Sequence, residues 1–385
     1  MRSLKNNFLS ITVLVCLVMH ANSAFASTDT VRCNTLISES SFDEAYAVCK
    51  NAAEQGFLDA QYNLGLMYSN GDGVVQDYAE AARWYRAAAE QGLADAQFNL
   101  GNMYYFGNGI TQDYAEAARW YRAAAEQGDA EAQLNLGVMY SDGNGVAQDY
   151  AEAVKWYRAA AEQGLADAQF NLGLMYTNGE GVIQDYAEAV KWYRAAAEQG
   201  IADAQFNLGV MYYNAEGVIQ DYTEAVKWYR AAAEQGDAEA QLHLGVMYSD
   251  GDGVVQDYAE SVRWYRAAAE QGLVIAQFNL GNRYKNGEGV IQDYTEAVKW
   301  YRAAAEQGLA EAQFNLGVIY YNAEGVTQSD LLAHMWLNIS AANGNVSAAE
   351  ARNSVSQLMS NDQITQSQAL ARQCVNSNYT DCGWK

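Results

Sequence analysis

No proline occurs anywhere in the sequence, and only three histidines do. Without proline, breaks in helical structure fall to glycine, of which there are 32. The shortage of histidine leaves little for acid–base chemistry or metal ligation. Beyond the first 26 residues only His243 and His334 remain, and neither has a second histidine or a cysteine beside it. No G-x-S-x-G, H-E-x-x-H, G-x-x-x-x-G-K-[ST] or S-x-x-K pattern is present. The run Asp250-Gly251-Asp252-Gly253-Val254 begins like a calcium loop. It then places Val254 where an oxygen ligand is needed and supplies no glutamate at the twelfth position. No metal, cofactor or catalytic residue is therefore expected, and the chain reads as a non-enzyme.

Basic residues are also few, 23 Lys and Arg against 47 Asp and Glu, for a formal charge of −24. A surface of that sign repels phosphate backbones, which argues against nucleic acid as a partner. The acid excess reads first as what keeps a long, exposed array in solution, and second as a surface able to recruit a basic partner.

Long apolar runs are missing except at the start. There Arg2 and Lys5 precede an apolar stretch from Phe8 to Val18, followed by Ala24-Phe25-Ala26. These are the three parts of a secretory signal, which predicts cleavage after Ala26, no membrane insertion afterwards, and a periplasmic or secreted location. Cys16 lies within the apolar run behind Val15 rather than a small residue, so lipid attachment is not expected. Four cysteines follow, Cys33, Cys49, Cys374 and Cys382, one pair near each end. An even count in an oxidising compartment reads as disulfides, Cys33 with Cys49 and Cys374 with Cys382. Neither pair has the spacing of a structural zinc site, and no histidine lies beside them.

What the sequence has in abundance is periodicity. Tryptophan recurs every 36 residues from Trp84 to Trp336, and Leu-Gly recurs in step from Leu64-Gly65 to Leu316-Gly317. Eight units follow, 57–92 through 309–344, with a half unit at 41–56. In each, Ala60, Leu64, Met67 and Tyr68 or their equivalents line one face of a first helix. Gly65 sits inside that helix at a cost of about 1 kcal/mol relative to alanine, and its recurrence points to close approach of a neighbouring helix. A second helix starts at Asp77, with Glu80 placed to complete a capping box. The same spacing returns from Asp113/Glu116 to Asp293/Glu296. Tyr78, Ala81, Trp84, Tyr85, Ala88 and Ala89 form its apolar face, and Gly92 ends it. One helix pair cannot bury both apolar faces, but stacked pairs can.

The pattern A-x-x-x-L-G-x-x-Y-x-x-G-x-G-V-x-x-D-x-x-x-A-x-x-W-Y-x-x-A-A-x-x-G, as in Ala96 to Gly128, resembles the Sel1-like repeat, a relative of the tetratricopeptide repeat. The resemblance implies an all-α, right-handed α/α solenoid. It would comprise a signal over 1–26, a capping segment over 27–56, eight repeats over 57–344, and capping helices with a tail over 345–385. It implies adaptor work, a protein-binding scaffold whose partner is another protein. A weak cell-wall or β-lactam hydrolase of the cysteine-rich Sel1-like type is the alternative, although those relatives carry a cysteine pair in each unit and the internal units here have none. A lumenal subunit of a eukaryotic degradation complex is a third reading, with sequons at Asn338, Asn345 and Asn378.

Comparison among the units suggests a binding surface. After the first-helix tyrosine, most units carry Ser69, Ser141, Thr177, Ser249 or Lys285, whereas three carry Tyr105, Tyr213 and Tyr321, with Phe106 after the first. Ile275 stands where every other unit has an acid. Exposed aromatic and aliphatic side chains anchor interfaces, so Tyr105, Phe106, Tyr213, Ile275 and Tyr321 are the candidate partner-binding residues. Their 108-residue spacing also fits duplication of a three-unit block. His243 replaces an asparagine found in the seven other units and reads as a structural exchange.

Overall fold

The computed structural model describes residues 28–383; the expected signal, with Cys16, lies outside the described residues. These residues form twenty helices and no strand, an all-α solenoid of consecutive helix pairs. Helix α1 spans 28–38 and α2 spans Phe42–Glu54. The first full pair is α3 (Leu58–Asn70) and α4 (Tyr78–Glu90), called A and B. Pairs recur to α17 (Ala310–Asn322) and α18 (Asp330–Ala342), and α19 (Val346–Ser356) and α20 (Asn361–Asn376) close the chain. The chain divides into two compact units, one through Trp192 and one from Tyr193.

Along the repeats the core forms successive clusters, and one larger cluster, from Ala297 to Cys382, covers the last pair and the closing helices. The B-helix face Ala117, Tyr121 and Ala124 packs on Leu136 and Met139 of the next A helix and on Trp156 of the next B helix. The A-helix glycine is explained by a ring. A Cβ on Gly137 would lie 2.6 Å from Tyr157 Cδ1, and Gly65, Gly101, Gly209, Gly245 and Gly281 face their own tyrosines in the same way. In the last pair Gly317 faces Leu337. The close approach is thus side chain onto helix backbone. A second glycine is needed in the turn between A and B, where a Cβ on Gly253 would meet the Tyr222 backbone at 2.4 Å. The preceding turn position is left-handed, and Ala215 (φ 62°) and Ala323 (φ 58°) adopt that conformation where other repeats have glycine.

The capping box is not formed in the repeats. Asp77 Oδ1 accepts from the Ala79 and Glu80 amides at 2.9 and 3.1 Å, but Glu80 does not reach back. The amide it would satisfy is already used, because Asp77 N–H donates to the Tyr68 carbonyl at 2.9 Å. Glu80 instead pairs with Arg83 at 3.1 Å, and the same exchange recurs to Lys299–Glu296. These pairs are exposed and contribute a few tenths of a kcal/mol each. Their larger effect is to hold the basic side chain over the next residue, as Lys155 Nζ lies 4.9 Å from the Trp156 ring centroid. Ser329 caps α18 by accepting from Leu332 N–H.

A ladder of glutamines ties successive repeats together. Gln97 Nε2 donates to the Ala89 carbonyl at 3.1 Å, and Gln97 Oε1 accepts from Gln127 Nε2 at 2.7 Å. The rung recurs at Gln133/Gln163, Gln205/Gln235, Gln241/Gln271 and Gln277/Gln307, and Asn343 completes it on Gln313. Each A-helix amide is buried and engaged at both ends, which is how a buried polar group avoids a desolvation penalty.

The ends are covalently closed: Cys33 is bonded to Cys49 and Cys374 to Cys382. No described helix is long and apolar enough to cross a membrane.

Candidate binding surfaces

The sequence-derived residues fall at two places on the A helices. Tyr105, Tyr213 and Tyr321 sit one residue before the end of α5 (Ala94–Phe106), α11 (Ala202–Asn214) and α17, and Phe106 ends α5. Ile275 is the second residue of α15 (Val274–Asn286), so it stands at the other end of its helix, about 15 Å along the axis from the tyrosine position. Tyr105 and Phe106 belong to the first unit and Tyr213, Ile275 and Tyr321 to the second, where Ile275 is on a different helix end from the two tyrosines. Phe106, Ile275 and Tyr321 are exposed at 64%, 46% and 39%.

Tyr105 and Tyr213 are half-buried rather than exposed, because the B helix of the same repeat and the A helix of the next together wall each ring. Tyr105 lies 5.2 Å from the Tyr114 ring and 6.4 Å from Tyr121. With Phe106, Tyr121, Asn135 and Val138 it lines a notch of about 90 Å³. At the equivalent place in the second unit Tyr213 packs beside Tyr222 and His243. The His243 ring is stacked on Tyr229, centroids 4.9 Å apart and 9° from parallel. Burial lowers the His243 pKa and raises that of Tyr213, whose phenol also faces Asp252.

The other histidine acquires a partner that spacing did not reveal. His334 Nδ1 and Ser367 Oγ are 2.6 Å apart, and both residues are buried. The serine hydroxyl also donates to the Ile364 carbonyl at 2.9 Å. The contact, with both side chains enclosed, ties α20 to α18. No group of three His, Cys, Asp or Glu among the described residues could hold a metal ion.

Two features escaped the sequence reading. Arg283 replaces a buried methionine; its guanidinium lies 4.8 Å from the Tyr258 ring, pairs with Glu288, and donates to Ser249 Oγ at 2.5 Å. The second feature is on the turns between A and B. Val74 and Val254 point inward, yet the next residues, Val75 and Val255, are 86% and 90% exposed, as are Ile183, Ile219 and Ile291 at 90–91%. From Ile183 to Ile291 they recur every 36 residues, a spacing visible in the sequence, but spacing alone does not tell which of two adjacent aliphatic residues faces solvent. Beside Ile183, Arg158, Tyr176, Glu188, Lys191 and Trp192 border a cleft of about 600 Å³.

The Sel1 repeat model matches eight consecutive segments, from 58–93 to 310–345. The chain belongs to the Sel1 repeat family. A Sel1 repeat protein from Oxalobacter formigenes is similar at 35% identity and a TM-score of 0.61, over 81% of this chain and 89% of that one. A protective antigen of uropathogenic Escherichia coli strains, described as displaying an SLR fold, is also 35% identical, over 88% of this chain and 89% of that one, with a TM-score of 0.48. No curated protein matches the chain. Sel1 repeats generally mediate protein–protein interaction, which is the coarse function of this array.

Proposed function

We propose that this Sel1 repeat chain is a non-catalytic, exported scaffold that binds another protein in the periplasm or outside the cell. The observation that carries the reading is the allocation of its side chains. Reactive groups such as His334 and Ser367 are enclosed and used for packing, while large apolar groups such as Phe106 and Ile275 are left in solvent. Exposed aromatic and aliphatic side chains of this size are the kind that anchor a protein partner. Export is supported by the arrangement of residues 1–26 and by the two terminal disulfides.

The test uses the five candidates together. Tyr105→Ser, Phe106→Asn, Tyr213→Ser, Ile275→Asp and Tyr321→Ser place at each site a residue that other repeats carry there or a close equivalent. Affinity capture from envelope extract, quantified by mass spectrometry, should lose the specific partner by more than tenfold while circular dichroism is unchanged. Undiminished capture would remove these residues from the binding surface. Fractionation should place the protein in the envelope or medium with Ser27 as its first residue, and cytoplasmic retention with the leader intact would end the export reading.

A further inference from the structure

The exposed aliphatic residues on the turns have no packing role, and the chain itself demonstrates that the fold does not need them. Three turns carry Thr111, Ala147 and Thr327 at the same position, between the same helices. In the second unit Ile219, Val255 and Ile291 occupy three consecutive turns and are each 90% exposed. In the first unit Val75 and Ile183 are likewise exposed, separated by the two turns that carry Thr111 and Ala147.

The charges on these turns vary together with the aliphatic. Each of the five turns with an exposed Val or Ile has an acid three residues before it and another two residues after it, as in Glu216/Asp221 around Ile219 and Asp252/Asp257 around Val255. Each turn lacking the aliphatic also lacks one of the acids: Asn108, Asn144 and Ser329 stand in their places. No turn contains lysine or arginine. Asp221, Asp257 and Asp293 bind helix amides through Oδ1, so their placement is fixed by the fold. Glu288 differs from its equivalents in being held by Arg283.

We infer that the A–B turns at Ile219, Val255 and Ile291 form a docking surface for a cationic amphipathic polypeptide segment, its aliphatic side chains on the exposed Val and Ile and its Lys or Arg on the flanking carboxylates. This rests on the scaffold reading and names the partner's chemistry. Anionic lipid and nucleic acid are repelled by a chain of charge −24, and a second copy of the chain presents the same acids. Aliphatic contact supplies affinity at the centre of such a surface, and the charges supply selection and association rate.

The test is binding of a fluorescent 20-residue leucine–lysine amphipathic peptide to the full chain, followed by anisotropy. A control peptide has every leucine replaced by serine. The wild-type chain should favour the leucine peptide, and Ile219→Thr/Val255→Thr/Ile291→Thr should weaken that binding at least tenfold with circular dichroism unchanged. Glu216→Asn/Asp252→Asn should flatten its salt dependence. The inference is overturned if the wild-type chain does not bind the leucine peptide, if it binds both peptides alike, or if the triple variant binds as tightly as wild type. Adsorption to phosphatidylglycerol vesicles that the triple variant abolishes would assign the surface to a membrane and likewise overturn it. These outcomes leave the scaffold reading standing when partner capture still depends on Tyr105, Phe106, Tyr213, Ile275 and Tyr321.

Discussion

Asn99 and His243 occupy the same place in their repeats, yet they meet different surroundings. Asn99 Nδ2 donates to Tyr62 Oη at 3.5 Å, whereas His243 is enclosed by Phe206, Tyr213 and Tyr229. Burial pushes the His243 pKa below its ordinary 6.5, and the opposing pull of Glu239 and Asp237 is smaller. A folded-state pKa that is depressed means that the unfolded chain binds the proton more readily. The stability associated with neutral His243 is therefore complete above pH 6.5 and is lost as pH falls through the folded value. His334 is shifted in the same direction by burial and by Arg352. The expected outcome is that Tm falls between pH 7.5 and pH 5 by less in His243→Asn than in the wild type, with His334 contributing equally to both. Parallel pH profiles would show that position 243 is not a titrating part of the core. The exchange was legible in the sequence because seven repeats supply the comparison; the ring stack was not, since Tyr229 and His243 belong to successive repeats and meet only when the repeats stack.

At the scale of the helix, propensity and packing predict opposite signs for one substitution. Gly137→Ala should stabilise α7 (Ala130–Asp142) by about 1 kcal/mol if only backbone freedom counts. The added methyl would lie 2.6 Å from the Tyr157 ring, which is itself buried and cannot retreat. Overpacking in such a core costs about 1–3 kcal/mol, so a net loss is expected in urea denaturation. A gain in stability would mean that the ring moves freely and that the glycine is only inherited. The helices, their order and the need for that glycine were legible because they follow from a 36-residue period and a 3.6-residue one. The Asp-x-x-Glu spacing misled because a motif does not reveal that Asp77 N–H is already committed to Tyr68. The glutamine ladder went unread for a related reason: Gln97 and Gln127 are 30 residues apart and meet only when repeats stack.

Across the whole molecule, the same neighbour-to-neighbour construction determines how damage spreads. Within each unit the principal helix contacts join sequence neighbours, with α20 returning to α18 at the C-terminal end. Stability in such an array is close to a sum of repeat terms and nearest-neighbour interface terms, so an interface can fail without the rest failing. Trp156 is 9% exposed and closes the cluster that contains Tyr121, Leu136 and Met139. Trp156→Ala should cost about 3–5 kcal/mol at that interface. Hydrogen exchange followed by mass spectrometry should locate the loss in peptides from 117 to 161, with protection over 310–376 retained, because those residues share no core cluster with the missing ring. Uniform loss of protection from α1 to α20 would instead establish that the array unfolds as one cooperative body. A cost below 1 kcal/mol with protection intact would place the indole outside the core and contradict the interface itself.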